Sequence, residues 1–390
     1  MKGVYLSEII KPRILRFEIE EEDAGKTIKE YLMRKVGFSS KQLSRFKYRK
    51  DGILLNGEKR YVNVPMQAED VLEIRLTQGG EPAERDPGDM RPGSASEPLS
   101  RDSRDGCDAR EGYMPARDGR LQKIWVRPAD WLAEKYPLRI LYEDQDLLVA
   151  DKPSGVVCHP SPGHFDDTLS NQVAEHLGRI GRELDVRVTG RLDKDTSGIV
   201  VFALNTETAA QLIKQRQSQM EERFSFDPGH TNTMDVLEHM TSAENFKLYI
   251  ARVRGHFGSA RTGTVDRPLR RESRESFRMI AADDGKSART HYFVIAGLPD
   301  GTSLIACRIE HGRTHQIRVH MALTGHPIVG DRMYGPEAQL PVEEDKIQNP
   351  LMLHAFRAGF RQPFTGRRIL IEAPLPSWAE GFPAESQGKP

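Results

Sequence analysis

Three groups of side chains in this sequence have types and spacing suited to chemistry. The first is a charged turn, Arg191-Leu192-Asp193-Lys194-Asp195-Thr196-Ser197-Gly198, which leads into the apolar, β-branched run Ile199-Val200-Val201-Phe202-Ala203-Leu204. A run of that kind reads as a buried strand, so Asp193 stands at the mouth of a core. A carboxylate is costly there unless it is paired or needed. Asp195 is two positions on, but alternate residues of a turn need not face the same way, so it is not read as a partner. The second group is His311-Gly312-Arg313-Thr314-His315-Gln316-Ile317-Arg318-Val319-His320. Its histidines invite a metal reading, but neither a catalytic Glu nor a cysteine completes a zinc-type set, and no metal is expected. The third is a basic stripe between Ser39 and Lys50, with Lys41, Arg45, Lys47, Arg49 and Lys50 and no acidic residue. Lys41 and Arg45 are four apart and share a helix face, as a stripe that tracks a phosphate backbone would. Taken alone, the stripe reads first as an ordinary solvated helix face.

The elements that must hold these groups follow from pattern. Residues 14–76 read as a small α/β module: a strand over Ile14–Ile19, a helix over Gly25–Lys35, a second helix capped by Ser39 or Ser40, a hairpin through Asn56-Gly57, and an alternating strand from Val71 to Leu76. Leu138–Leu141 and Leu147–Ala150 read as strands joined by acidic residues 142–146. Asp167 or Thr168 is placed to cap a helix through Leu169, Val173 and Leu177, and Asn205–Lys214 reads as a helix after the central strand. Phe246–Val253, Gly285–Tyr292 and Leu304–Ile309 are further strands. Thr314 is placed to cap a helix that stops at Gly325 before Pro327. Residues 220–245 read as polar and irregular.

Several of these stretches together resemble the RluA family of RNA pseudouridine synthases. Arg-Leu-Asp-x-x-Thr-Ser-Gly before an apolar strand resembles the family's catalytic signature, and Lys152-Pro153-Ser154-Gly155 with a following His resembles its first motif. Lys247-x-Tyr249-x-Ala251-x-Val253, Gly285-Lys286-x-Ala288-x-Thr290-x-Tyr292 and Gly312-Arg-Thr-His-Gln-Ile-Arg-x-His320 resemble later motifs, in the family's order. One departure is Thr189-Gly190, where the family usually has Val-His. The resemblance implies an α+β catalytic domain over 127–378 with a curved, mostly antiparallel mixed sheet and flanking helices, and it makes 220–245 an insertion. It also implies that the small leading module is an S4-like RNA-binding domain. By the same resemblance Asp193 is the catalytic residue, Arg318 pairs with it and favours its ionised form, and Tyr249 stacks on the base and could assist proton removal. Thr196, His315 and Gln316 fall among the substrate-binding positions. Arg191 takes the space that a flipped base vacates, extrusion costing about a few kcal/mol. Without the resemblance, Tyr249 alone reads as a core tyrosine with a satisfied hydroxyl.

Composition sets the remaining bounds. With 57 basic and 57 acidic residues the net charge is +0, so nucleic-acid binding must rest on local segregation of charge. The hydrophobic share of 37% is low. Residues 77–126, rich in Pro, Gly, Ser and charge, read as the linker responsible. Cys107 falls inside it, and with Cys158 and Cys307 makes three distant thiols that support neither a disulfide framework nor a zinc knuckle. Neither a signal peptide nor a membrane span is expected, and the chain reads as a cytoplasmic monomer.

The reaction that the resemblance implies breaks the uridine glycosidic C–N bond and rejoins the base through carbon 5. It gains and loses no atoms and changes no redox state, so no cofactor is expected. Ribosomal RNA, of the large subunit, is the expected substrate and transfer RNA the alternative. Two readings compete. Asp193-Lys194-Asp195 superficially fits the Asp-x-Asp loop of haloacid-dehalogenase-type phosphatases, but there the strand precedes the pair, and here it follows. The other is a non-catalytic RNA-binding protein of the same fold, against which the retained Asp193, Tyr249 and Arg318 argue.

Overall fold

The computed structural model describes residues 13–47, 49, 51–76, 113–115, 121–123, 128–161, 163–182, 186–219, 224–226, 232–336, 350–379 and 381–383. The chain divides into two compact units. Most of the 77–126 linker, Cys107 and parts of 220–231 lie outside the described residues.

The N-terminal module is a four-stranded antiparallel sheet of order β1-β4-β2-β3, from β1 (Ile14–Glu18), β2 (Ile53–Leu55), β3 (Glu58–Lys59) and β4 (Val71–Arg75). Helices α1 (Ile28–Arg34) and α2 (Ser40–Lys47) accompany it. Thr27 opens α1 with a full capping box to Glu30, which explains why the helix starts later than Gly25. Leu15, Ile28, Leu32, Phe38, Phe46, Leu72 and Ile74 are buried. Asn56 and Gly57 turn the hairpin with φ of 53° and 79°. The Asn56 side chain ties the turn to Asp70 and to the Val71 amide. Within the predicted linker, β5 (Tyr113–Pro115) pairs antiparallel with β6 (Leu121–Lys123).

The larger unit is built on one ten-stranded sheet. Its strands are β7 (Arg139–Glu143), β8 (Leu147–Lys152), β9 (Arg187–Val188), β10 (Ser197–Ala203), β11 (Phe246–Arg254), β12 (Thr262–Asp266), β15 (Arg289–Gly297), β16 (Thr302–Ile309), β17 (Leu353–Arg361) and β18 (Arg368–Glu372). The main path runs β12-β15-β16-β11-β17-β10-β8-β7, with β18 on β17 and β9 on β10. Pairing is antiparallel except between β10 and β17. A separate hairpin joins β13 (Leu269–Arg271) to β14 (Met279–Ala281). The helices beyond the N-terminal module are α3 (Asp130–Lys135), α4 (Leu169–Arg179), which falls mostly in the smaller unit, α5 (Thr206–Gln219), α6 (Thr233–Thr241) and α7 (Gln316–Leu323). The arrangement is the α+β, mostly antiparallel fold expected.

Register explains where the site falls. Gly198, Ala355, Tyr249 and Cys307 pair in turn across β10, β17, β11 and β16. The turn carrying Asp193 thus enters the sheet in the same transverse row as Tyr249. Gly198 has φ of 104°, and a Cβ there would lie 2.3 Å from the Ala355 carbonyl oxygen, so only glycine lets β10 meet β17. β17 carries an extra residue, Phe356, between the partners of Leu248 and Tyr249. Such bulges increase local twist and re-aim side chains. Leu248 and Ile250 join Phe246, Phe293, Leu304 and Ala306 in a core on one face. Lys247 and Tyr249 alternate with them along β11 and so take the other face.

Three expectations are corrected here. Residues 233–241 form α6, opened by an Asn232 cap, and bury Val236, Leu237 and Met240 in the same core, so this part of the 220–245 stretch is not irregular. Tyr142 and Glu143 extend a strand instead of belonging to a loop. The helix after the histidine stretch is entered through His315, at φ of 54°, and not through Thr314.

Candidate active site

The turn that bears Asp193 is fixed from below by a buried lysine. Lys152 Nζ donates to the carbonyls of Pro153, Val156 and Lys194 at 2.9, 2.6 and 2.7 Å. Burial drives its pKa down to about 8. The Gly155 amide donates to the Lys194 carbonyl, and Ser154 Oγ to that of Asp195, so the Lys-Pro-Ser-Gly turn grips the Asp193 turn at several points. Cys158 closes the grip on the other side: its thiol donates to the Leu192 carbonyl and accepts from the Leu192 amide. Burial pushes that thiol up, which suits a clamp and not a nucleophile.

Arg318 comes from the first turn of α7, after β16. Its Nη1 lies 4.0 Å from Asp193 Oδ2. Its closest partner is a different carboxylate, Asp331, which it meets in bidentate fashion at 2.8 and 2.8 Å. Asp331 is fully buried and also accepts from the Met333 and Tyr334 amides. Burial opposes its charge, but Arg318 and the two amides prevail and hold the carboxyl below its ordinary range. Arg318 thus lies at ion-pair distance from Asp193 as expected, and Asp331 is a further partner that orients the guanidinium, so the three groups form a relay in which Arg318 turns one nitrogen toward Asp193.

Tyr249 is buried on the cleft face of β11. Burial, and to a lesser extent Asp193, raise its phenol above the ordinary value, against the pull of Arg216. The group stays protonated at neutral pH, which bears against a phenolate base. His315 Nδ1 is 2.8 Å from the Tyr334 hydroxyl. That hydroxyl oxygen also accepts from the Met279 amide. Burial lowers the His315 pKa, with Asp193 opposing.

The remaining predicted residues fall out unequally. Thr196 is buried on the cleft wall, and its Oγ1 has no hydrogen-bond partner among the described residues. Arg191 is exposed on the same wall. Gln316 lines the cleft, but its amide is committed to the protein: Nε2 donates to Arg289 O and Thr290 Oγ1, and Oε1 accepts from the Arg313 amide. It shapes the 313–316 loop, a correction to its substrate-binding reading. Arg45 is exposed on α2 of the N-terminal module, and the Lys41 side chain lies outside the described residues. Both ring nitrogens of His320 are bonded, to Thr290 Oγ1 and the Arg267 carbonyl, so it is not free to ligate a metal.

The cleft encloses about 750 Å³. Arg191, Arg216, Lys247, Arg271, Arg313 and Arg318 line it, against one lining carboxylate, Asp193. Sequence reasoning placed Lys247 and Asp331 in family motifs without giving either a role, and it missed Tyr334 and Arg216. Asp331 ends the stretch His326-Pro-Ile-Val-Gly-Asp331, and its presence beside Arg318 depends on how that stretch runs along β11, through Val329 N to Arg252 O and Arg254 N to Pro327 O.

A positive cleft built around one ionisable carboxylate, a buried tyrosine and a preset arginine defines an enzyme site for a polyanionic substrate. The family model for RNA pseudouridylate synthase matches residues 146–224 and 230–323. A Bacillus subtilis protein described as the uncharacterized RNA pseudouridine synthase YlyB is 36% identical over 250 residues, 63% of this chain and 72% of that protein. Ribosomal large subunit pseudouridine synthase D of Pseudomonas aeruginosa is 35% identical over 254 residues, covering 63% and 71% of the two chains. The solved structure of human RNA pseudouridylate synthase domain containing 1 is 26% identical, with a TM-score of 0.45 over 61% of this chain and 84% of that one. The chain belongs to the RNA pseudouridine synthase family, as an RluA-like member. It is an isomerase that acts on RNA.

Proposed function

We propose that this enzyme converts uridine to pseudouridine in RNA of the large ribosomal subunit, in the cytoplasm, with Asp193 as its catalytic carboxylate. The observation that carries the proposal is Asp193, facing Arg318 at 4.0 Å as the one carboxylate among the described residues that line the cleft, against six lining cations. The N1–C1′ bond breaks, the base turns, and a C5–C1′ bond forms. The proton at C5 leaves and N1 ends with one, so the product is an isomer and no co-reactant is consumed. Asp193 acts on the nucleotide, and Arg318, locked by Asp331, holds the carboxylate in place without reorganising. Tyr249 offers a flat, neutral ring against which an extruded uracil stacks. Arg191, exposed at the rim, fills the gap left in the RNA, since guanidinium both stacks on bases and bonds phosphates. Phe277, 75% exposed on the β13–β14 hairpin, also lines the cleft and offers a second stacking face. The leading module, read as S4-like, offers its α2 basic stripe to RNA phosphates.

Large-subunit ribosomal RNA is favoured by the relatives so named at about 35% identity. Mapping pseudouridine in ribosomal and transfer RNA from cells with and without this chain tests the assignment. Loss of one or more large-subunit positions is the expected result. Loss confined to transfer RNA, or no loss at all, contradicts it.

A further inference from the structure

Beside the Asp193 turn the cleft wall holds two cations that no carboxylate among the described residues neutralises. Arg216 extends from α5 and donates from Nη1 to the Thr189 carbonyl at 2.6 Å. Lys247 comes from β11, two residues before Tyr249, and is half-buried. Two glycines make their space. A methyl group on Gly190 would lie 3.1 Å from Arg216 Nη1 and 3.3 Å from Lys247 Nζ, and one on Gly312 would lie 2.8 Å from Arg216 Nη2. The two charges therefore face one opening, left by the missing side chain at the position where the catalytic signature departs from its usual form. Burial and then the neighbouring Arg216 drive Lys247 down to about 8. Glu310, the carboxylate lining the adjoining hollow, is already bonded to Arg289 and His291.

Two adjacent cations, one of them poorly solvated and neither with a counter-ion among the described residues, are a strained arrangement unless an anion completes it. The anion that arrives with the substrate is phosphate, which a guanidinium receives through paired N–H groups and an ammonium as a point charge. We infer that Arg216 and Lys247 form a subsite for a backbone phosphate next to the target uridine, admitted by Gly190 and Gly312. The inference rests on the reading of the cleft as the RNA-modifying site. Because Arg216 also holds the Thr189 carbonyl, an anchored phosphate bears directly on the turn that presents Asp193.

The test uses the full chain and an unmodified transcript of large-subunit ribosomal RNA. Binding is titrated from 50 to 200 mM salt, and pseudouridine formation is followed in single turnovers. Removing one phosphate contact should make the log–log salt slope shallower by about 0.7 to 0.9. Arg216→Gln and, independently, Lys247→Gln should show that change. At the low-salt end they should bind roughly three- to tenfold more weakly. Arg216→Lys should recover the slope, and Gly190→Ala, which crowds both cations, should mimic the loss. Folded Arg216→Gln and Lys247→Gln proteins with the parent's salt slope overturn the inference. A parent chain that forms no pseudouridine, yet shows the slope change on Arg216→Gln, overturns the functional reading and leaves the phosphate subsite standing.

Discussion

At the scale of single residues, the site depends on which carboxylate holds Arg318. Asp331 does so from full burial, while Asp193 remains a quarter exposed at 4.0 Å. Removing one partner of a buried ion pair strands the other, so Asp331→Asn should cost about 3 kcal/mol in thermal or denaturant unfolding, and should slow catalysis even though Asp193 is untouched. The pH dependence has a definite sign. The Asp331 carboxyl is lowered in the fold from an ordinary value near 3.8. The unfolded chain therefore binds its proton first. The stabilisation is complete above that value and is lost as pH falls below it through the folded one. The acid limb of a melting curve against pH should be shallower in Asp331→Asn than in the parent, and an unchanged limb would contradict the relay. For Tyr249, whose phenol is held protonated, the rate should show no inflection between about pH 7 and 9 that disappears in Tyr249→Phe.

At the scale of elements, the convergence of Asp193, Tyr249 and Arg318 follows from strand order. β10 and β11 flank β17, and β16 lies on the far side of β11. Gly198 is the point on which this order turns. Gly198→Ala would combine a positive φ with a 2.3 Å contact to the Ala355 carbonyl, and should cost about 2 kcal/mol or more in chemical denaturation. A variant as stable as the parent would mean that the β10–β17 junction is not constrained as described. These elements were largely legible in the sequence. The apolar run after Asp193 announced β10, Asn56-Gly57 announced the hairpin, and Thr290 to Tyr292 sit where a strand was read. What could not be read was tertiary. Helix α6 looked irregular because its apolar positions, Val236, Leu237 and Met240, are few and are spaced among polar residues. Asp331 ends a stretch, His326 to Asp331, that fits the family pattern, but its role was not legible because it comes from a segment docking on β11. Gln316 looked available because pattern reveals a side chain's type and not its existing bonds.

At the scale of the whole molecule, a chain with a net charge of +0 presents a cleft lined by six cations and one carboxylate. Acidic groups occur in other parts of the chain, for example the exposed Glu20 and Glu22 of the N-terminal module, both paired with Lys35. Charge is segregated, not abundant, and binding of RNA should fall steeply with salt although the protein as a whole is neutral. If the α2 stripe meets RNA, Arg45→Glu should weaken binding several-fold at low salt and leave the rate at saturating RNA near that of the parent. Equal affinity for Arg45→Glu and parent across that range would remove the module from the binding surface. Among the described residues no helix is long and apolar enough to cross a membrane.

The most direct measurement is conversion by Asp193→Asn. The substitution keeps the shape of the side chain and removes its charge. In a single turnover on unmodified large-subunit ribosomal RNA, with binding measured on the same preparation, the variant should hold the RNA about as tightly as the parent and form no pseudouridine. Pseudouridine formed by the variant at a rate near the parent's would show that the carboxylate facing Arg318 is not the group that acts on the base.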